Sequence, residues 1–220
     1  LADLLAVSYP ETRTSEMVLE TPVRSRLERV IREYRARDRF SAYGFEPRRK
    51  LLLIGPPGSG KTMTASALAG ELHLPLLVLR LDGLITRFMG ETAAKLRLVF
   101  DSMEQVAGVY LFDEFDAIGT KRGSLHDVGE IKRVLNSFLQ FIEHDHSPGL
   151  IVAATNHPEA LDPALFRRFD DVIEYAPPPP ELVERALRNR LAAFETDGVE
   201  WAVVVDAGRV FSDAGHTRAC

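Results

Sequence analysis

The glycine-rich segment GPPGSGKT, residues 55–62, is the part of the sequence with the clearest chemistry. It matches the pattern G-x-x-x-x-G-K-[ST] in full, follows the apolar run KLLLI at 50–54 and opens a stretch with helical spacing. Its glycines allow a tight turn in which successive backbone N–H groups face phosphate oxygens, and the positive end of the next helix dipole adds attraction. The segment therefore predicts a phosphate-binding loop between a strand and a helix.

Two side chains at the end of this loop have separate predicted roles. Lys61 brings a positive charge to the outer phosphates of a nucleotide, and the Thr62 hydroxyl is the expected magnesium ligand. An accidental Gly-Pro turn followed by Lys-Thr is the alternative, and it does not explain a complete match in this context. The expected ligands are therefore ATP or ADP with Mg²⁺. The predicted nucleotide contacts are Gly55, Pro56, Pro57, Gly58, Ser59, Gly60, Lys61, Thr62 and Met63.

A second chemical group ends the apolar run in VYLFDEFDAIG, residues 109–119. The run predicts a buried strand that delivers Asp113 and Glu114 to the carboxyl edge of the sheet, where ligands of open α/β sheets bind. Asp113 is expected to hold magnesium, mostly through water. Glu114 is placed to orient and polarise the attacking water, because phosphoryl transfer relies on positioning and electrostatics. Asp116 is expected to cap the following turn and is not needed for this chemistry.

The elements that must position these residues follow from the hydrophobic pattern after residue 50. Short apolar runs alternate with longer helical stretches, which is typical of a parallel sheet with helices on its faces. The sequence therefore indicates an α/β fold. The predicted strands are 50–54, 76–79, 109–112, 150–154 and 172–175. The predicted helices lie near 61–71, 92–104, 127–143 and 181–195.

Upstream of the predicted sheet, residues 22–39 have the spacing of an amphipathic helix. Ion pairing on a solvated face is the favoured interpretation of its polar side, and a contact with nucleic acid or a partner protein is the alternative. The arginines on that side, interleaved with glutamates, are Arg26, Arg29, Arg32 and Arg35.

The composition limits the class of protein. With 45% hydrophobic and 27% charged residues and a formal net charge of −5, the chain has the make-up of an ordinary soluble globular protein, which argues against a dedicated nucleic-acid binder. The single cysteine, Cys220, allows no internal disulfide and fits a reducing compartment, so we expect a cytoplasmic location. No apolar run approaches the roughly 20 residues that span a bilayer, and residues 1–20 lack the layout of a signal peptide.

With both motifs in place, residues 50–175 resemble the AAA ATPases, in particular the branch that contains membrane-protease and proteasomal ATPases. A third mark of the resemblance is ATNHPEALDPALFRRFDDVI, residues 154–173, which is similar to that branch's second region of homology. The resemblance implies a P-loop NTPase fold of three α/β/α layers, with a five-stranded parallel sheet in the order 5-1-4-3-2. It also implies a homo-oligomer, a hexameric ring in the family.

The third mark implies further site residues. In the family the Asn at the strand end, here Asn156, senses the γ-phosphate, and later arginines, here Arg167 and Arg168, reach into the neighbouring subunit's nucleotide. A guanidinium set against the transferring phosphoryl group can raise the rate by roughly a thousand-fold or more. A surface pair bridged to Asp170 or Asp171 is the alternative. The run RRFDD lacks the Pro-Gly insertion usual between the two arginines, so either could be the acting one.

A fourth mark, RFMGETAAKLRLVFD at 87–101, is similar to the pore loop that grips a translocating polypeptide, through Phe88, Met89 and Gly90. Buried packing of Phe88 and Met89 is the alternative. The resemblance also implies adenine contacts near Val18, against the hinge between the large domain and a helical lid.

We expect three parts in the chain, with a boundary at the proline run that starts at Pro177, because proline continues neither a strand nor a helix. They are an N-terminal segment at 1–21 with the adenine contacts, a large α/β ATPase domain at 22–176 and a partial helical lid at 177–220. The lid departs from the family pattern at Gly215 and His216, where relatives carry an acidic and an aliphatic residue.

Together these features predict Mg²⁺-dependent ATP hydrolysis that drives remodelling or unfolding of a protein substrate by a ring-shaped assembly. One alternative is a nucleotide-switched regulator of a partner protein, such as a protease or a defence effector. Another is a DNA-remodelling ATPase that uses the arginine-rich helix, although nucleic acid is not the expected partner.

Overall fold

A six-stranded sheet forms the centre of the computed structural model, which describes residues 4–81, 84–85, 91–118, 125–177, 179–191, 194, 196 and 198–208. The strand order is β1-β3-β4-β5-β2-β6. The pore-loop residues Phe88, Met89 and Gly90 lie outside the described residues, as do Gly215 and His216. The strands are β1 (Ala6–Ser8), β2 (Lys50–Ile54), β3 (Leu76–Arg80), β4 (Val109–Asp113), β5 (Leu150–Thr155) and β6 (Asp171–Glu174).

Strands β2 to β6 are all parallel. Counted along the chain from β2, they confirm the predicted order 5-1-4-3-2. The prediction of a wholly parallel sheet missed one strand, because β1 pairs antiparallel with β3 and places Val7 opposite Leu77. All three residues of β1 are exposed, so no apolar alternation marks this edge strand in the sequence. The sheet is therefore mixed and six-stranded.

The helices predicted near 61–71, 92–104 and 127–143 are confirmed with shifts of at most two residues at their ends, whereas the helix predicted near 181–195 ends at Arg190. The helix predicted over 22–39 ends at Arg35, and a second short helix follows it. The helices are α1 (Thr21–Arg35), α2 (Arg37–Ala42), α3 (Lys61–Leu72), α4 (Thr92–Met103), α5 (Leu125–His144), α6 (Pro163–Phe166), α7 (Pro180–Arg190) and α8 (Trp201–Gly208). Within the described residues, none of these helices has both the length and the apolar character needed to cross a membrane.

Two apolar clusters, one on each face of the sheet, give the fold its three layers. On one face, Leu27 of α1 and Leu68 of α3 pack against strand residues such as Leu53. On the other face, phenylalanines of α4 and α5 pack against Phe112 of β4, whose ring centre is 5.2 Å from that of Phe138. Because β2, β4 and β5 pair in parallel, their carboxyl ends lie at the same edge of the sheet.

The arginines of α1 are held in ion pairs, which confirms the interpretation of a solvated face. The charged groups are 2.9 to 4.0 Å apart. The pairs are Arg26 with Asp171, Arg29 with Glu33, Arg32 with Glu28 and Arg35 with Glu71. These contacts also tie α1 to β6 and to the end of α3.

A buried ion pair lies at the amino-terminal end of β2. Arg49, immediately before β2, donates to the carboxylate and to the backbone carbonyl of Asp145, which lies after α5. Arg49 is 8% exposed and Asp145 is 7% exposed. Removal of one partner leaves the other charge buried and unpaired, which costs more than the loss of a surface pair.

We expect Asp145→Ala to lower the free energy of unfolding by about 3 to 5 kcal/mol, measured by urea denaturation. The matched control is Glu28→Ala, which removes the partner of an exposed arginine at 4.0 Å. That control should change stability by less than about 1 kcal/mol. Equal effects of the two substitutions would contradict a special contribution of the buried pair.

Candidate active site

The loop between β2 and α3 has the backbone that its glycines predict. Gly55, Gly58 and Gly60 have φ values of 152°, 75° and 93°. A Cβ at Gly55 would lie 2.5 Å from the carbonyl oxygen of Tyr175, so a larger residue does not fit there. The Gly55 N–H donates to the carbonyl of Thr155 at 3.3 Å. The loop is therefore fixed against the ends of β5 and β6.

The loop presents donors to an anion. In the described part of the chain, the backbone N–H groups of Gly58, Gly60, Lys61 and Thr62 have no hydrogen-bond acceptor. They lie at the N-terminus of the twelve-residue helix α3, whose dipole favours negative charge. This arrangement fits the phosphates of a nucleotide, because each phosphate oxygen accepts several hydrogen bonds.

The Lys61 side chain folds back across the loop. Its Nζ donates to the carbonyl oxygens of Gly55 and Pro56, at 2.8 Å each. Burial lowers the pKa of Lys61 below its ordinary value, while the carboxylates of Asp113 and Asp116 act in the opposite direction. The lysine is thus held at the centre of the loop, with two acidic groups nearby.

The predicted magnesium ligands lie side by side. Thr62, in the first turn of α3, and Asp113, the last residue of β4, have their Oγ1 and Oδ2 atoms 3.2 Å apart. The other oxygen of Asp113 accepts the N–H of Glu114 at 3.0 Å. A hydroxyl and a carboxylate at the mouth of a phosphate loop are oxygen ligands of the kind that Mg²⁺ takes in phosphate sites, so the residues present fit this ion.

Glu114 follows at the strand end in an uncommon backbone conformation. Its φ is 55°, in the left-handed region, which costs a non-glycine residue of order 1 kcal/mol. Its Oε1 lies 2.9 Å from Nη2 of Arg80, the last residue of β3. Sequence analysis missed Arg80, because its contact with Glu114 depends on the register of β3 against β4, which places Arg80 opposite Asp113.

Asn156 lies immediately after β5, beside the acidic strand end. Its backbone N–H donates to Oδ1 of Asp116 at 3.3 Å, and the Thr155 hydroxyl donates to the same oxygen at 3.0 Å. Asp116 was expected only to cap a turn, and the structure adds a link between the ends of β4 and β5. Sequence spacing alone could not indicate it, because about forty residues separate the partners.

The two candidate arginines after α6 differ in their contacts. Nη2 of Arg168 forms an ion pair with Oε2 of Glu143 in α5, at 3.1 Å. The Arg167 side chain is exposed, and it forms no hydrogen bond or ion pair with any residue that the structure describes. Among the described residues, no hydrogen bond or ion pair joins either arginine side chain to the phosphate loop, to Asp113 or to Glu114.

A cavity of about 490 Å³ lies beside the loop. Residues of the N-terminal segment form one wall, and α7 forms another. Val18 lies in the first wall, and its peptide N–H and C=O have no partner among the described residues. Arg24 donates to the carbonyls of Thr14 and Met17 and so fixes this segment. Apolar lining residues are Met17, Leu19, Val23, Met63, Leu182, Val183, Ala186 and Leu187.

Tyr175 packs against Gly55 of the loop, and its hydroxyl is a buried titratable group. Its hydroxyl is 2.6 Å from the Thr64 hydroxyl of α3. Burial raises the pKa of Tyr175 to about 12. The folded protein therefore holds this proton more tightly than the unfolded chain does. The stabilisation is complete below about pH 10 and is lost as the pH rises towards about 12.

We expect Tyr175→Phe to abolish the loss of stability that deprotonation of Tyr175 causes at alkaline pH. Near neutral pH the wild type should be more stable by about 1 kcal/mol, through the bond to Thr64. Between about pH 10 and 12 its free energy of unfolding should fall by about 2 to 3 kcal/mol relative to the variant. Urea denaturation across this range measures the difference, with the exposed Tyr9→Phe as control. A difference that does not change with pH would contradict the assignment.

The fold and the site together define a P-loop NTPase domain: a parallel sheet, a phosphate loop after its first long strand, and carboxylates at the end of a neighbouring strand. Comparison with known proteins gives the family. The sequence model of the "ATPase family associated with various cellular activities (AAA)" matches residues 51–177. The chain belongs to this family.

Three similar proteins illustrate the relationship. An "Uncharacterized AAA family ATPase y4kL" of Sinorhizobium fredii is 37% identical over 187 residues, which are 85% of this chain and 57% of the relative. An "ATP-dependent zinc metalloprotease FtsH 3" of Sphaerobacter thermophilus is 34% identical over 193 residues, 86% of this chain and 39% of the relative. This chain thus spans less than two thirds of either relative. The crystal structure of the FIGL-1 AAA domain has the same fold, with a TM-score of 0.78, 22% identity and coverage of 100% of this chain and 74% of that one.

Proposed function

We propose that this chain binds and hydrolyses ATP with Mg²⁺, in a ring of like subunits that remodels or unfolds a protein. The observation that carries the proposal is the meeting of the phosphate loop with the acidic strand end. Lys61 and the unbonded N–H groups of the loop lie beside the Thr62–Asp113 pair, and Glu114 is the next residue of the chain.

Binding of the nucleotide would use the loop for the phosphates and the cavity for the base. Residues 55–63 supply backbone donors and the Lys61 ammonium. The free peptide groups of Val18 could pair with the polar edge of adenine, and the apolar walls could cover its faces. We propose that 22–176 forms the ATPase domain and that 177–220 forms part of a lid, since α7 forms one wall of this cavity.

Chemistry at the outer phosphate would use charge and positioning. When bound, Mg²⁺ supplies positive charge that offsets the charge on phosphate oxygens. Thr62 and Asp113 would hold the ion, Asp113 mostly through water. Glu114 would orient a water molecule and accept its proton, and Asn156 would donate a hydrogen bond to the phosphate from the neighbouring strand end.

Arg167 is the better candidate for the arginine that acts on a neighbouring subunit. Glu143 already holds the Arg168 guanidinium within its own chain, whereas Arg167 is exposed and has no ion-pair partner among the described residues. A guanidinium that reaches across a subunit boundary must be free of such a pair. Hydrolysis would then require assembly.

Mixing two inactive variants tests this assignment. Glu114→Gln subunits keep Arg167, and Arg167→Ala subunits keep an intact Glu114. In an equimolar mixture, random placement should restore about a quarter of wild-type turnover. Turnover per wild-type subunit should also rise with protein concentration until assembly is complete. No recovery in the mixture, together with a rate that is independent of concentration, would exclude an arginine acting between subunits. Loss of activity in Arg168→Ala but not in Arg167→Ala would reverse the assignment.

We propose that ATP hydrolysis drives the remodelling or unfolding of a protein substrate. This proposal is supported by the 34% identity with a relative named as an ATP-dependent metalloprotease and by the resemblance of residues 87–101 to a pore loop. The ion-paired arginines of α1 argue against the DNA-remodelling alternative.

Phe88→Ala should leave ATP turnover nearly unchanged and abolish unfolding of a protein substrate. If Phe88→Ala still acts on its protein partner as the wild type does, the nucleotide-switched regulator would be favoured. The cytoplasmic location stays a prediction from the single cysteine.

A further inference from the structure

We infer that Asp116 is a positioning residue, which sets the place of Asn156 relative to Glu114 through a bond to Thr155. The inference rests on the proposed function, because it concerns residues of the same site. It assigns to the Asp116 carboxylate a role beyond its electrostatic effect on Lys61.

One oxygen of Asp116 organises the start of the loop after β5. Oδ1 accepts the Thr155 hydroxyl at 3.0 Å and the Asn156 N–H at 3.3 Å. The Thr155 hydroxyl in turn accepts the N–H of His157 at 3.0 Å. Thr155 is only 1% exposed, so water cannot readily replace these bonds. The backbone on both sides of the Asn156 side chain is therefore fixed by a single carboxylate.

The other end of this link is rigid. Asp116 lies in a short 3₁₀ turn, Phe115–Ile118, directly after Glu114. Phe115 in that turn is fully buried, with its ring 4.8 Å from Phe138. A turn anchored in the core cannot shift without disturbing aromatic packing. Asp116 thus fixes the end of β5 relative to the end of β4, where Glu114 lies.

This arrangement has a functional consequence that a mere structural brace does not have. Catalysis by positioned groups is sensitive to displacements of about 1 Å, which can cost on the order of a hundred-fold in rate. Without the bond to Asp116, Asn156 would lose its defined distance to Glu114, while the phosphate loop and the cavity would keep their own supports. Turnover should therefore fall although nucleotide affinity does not.

The experiment compares ATP turnover, affinity for a fluorescent ADP analogue with Mg²⁺ and urea denaturation in the full chain. Asp116→Ala should lower kcat about tenfold or more, with the affinity within about threefold of wild type. Asp116→Asn keeps an acceptor oxygen and should retain kcat within about threefold. The matched surface control is Asp38→Ala, which alters an aspartate whose side chain is 97% exposed.

A double-variant cycle isolates the link itself, because Asp116 also has contacts other than those with Thr155 and Asn156. Thr155→Val removes the hydroxyl at nearly constant volume. If the link acts as one unit, Asp116→Ala combined with Thr155→Val should lower kcat no more than Asp116→Ala alone. Independent, multiplying losses would overturn the inference, as would equal losses of affinity and kcat. If the wild type and Glu114→Gln turn over ATP alike, the proposed function fails instead.

Discussion

Glu114→Gln is expected to lower ATP turnover by about 10³-fold, within the range of about 10²- to 10⁴-fold attributed to a positioned general base. Gln has the shape of Glu and keeps one acceptor oxygen, but it cannot take a proton from water. The backbone at position 114 already adopts its strained conformation because of the turn into Phe115, so an isosteric side chain should not disturb it. Turnover at saturating ATP measures the effect.

Nucleotide binding separates this result from a general loss of structure. Among the contacts of the described residues, the Glu114 side chain pairs with Arg80, at the end of β3, so the affinity for ATP with Mg²⁺ should stay within a few-fold of wild type. Glu104→Gln is a suitable control, since it changes the same chemical group at an exposed position after α4. Full turnover by Glu114→Gln would remove Glu114 from the mechanism and leave the binding assignment untouched.

The phosphate loop could be predicted in detail because its geometry is local. Glycines at fixed offsets produce the positive φ values, and the following helix begins at Lys61, directly after Gly60. The carboxylates could be predicted because they end a continuous apolar run. Their distance to Thr62 could not, because it depends on the pairing of β2 and β4 with β5 between them.

Four features of the fold and of the site depend on long-range contacts that leave no mark in the sequence. The edge strand β1 has only three exposed residues, and its pairing uses backbone groups that every residue carries. Arg80 meets Glu114 only because β3 lies next to β4 in the sheet. The link from Asp116 to Thr155 likewise joins the ends of two neighbouring strands. The different contacts of Arg167 and Arg168 also depend on packing, here on the end of α5.

Lys61→Met should mainly weaken nucleotide binding, whereas Glu114→Gln should lower turnover and leave binding nearly unchanged. A hydrogen bond to a charged group contributes about 1.5 to 3 kcal/mol, so removal of the ammonium should weaken ATP affinity by about 100-fold. Met keeps most of the buried stem of the side chain. Burial disfavours the charge of Lys61 and lowers its pKa, so loss of the ammonium should affect the free energy of unfolding less than it affects ATP binding. Equilibrium binding of ATP with Mg²⁺ and urea denaturation give the two values.

The control for Lys61→Met is Lys132→Met, which removes an equal charge from an exposed position on α5. If the net charge of the protein governed affinity, both variants would weaken binding to a similar and salt-dependent extent. If the loop governs it, only Lys61→Met should do so, because the Gly55 and Pro56 carbonyls hold this ammonium within the loop. An affinity for ATP within about threefold of wild type in Lys61→Met, far short of the loss that charge-assisted bonds imply, would show that the loop does not hold the phosphates.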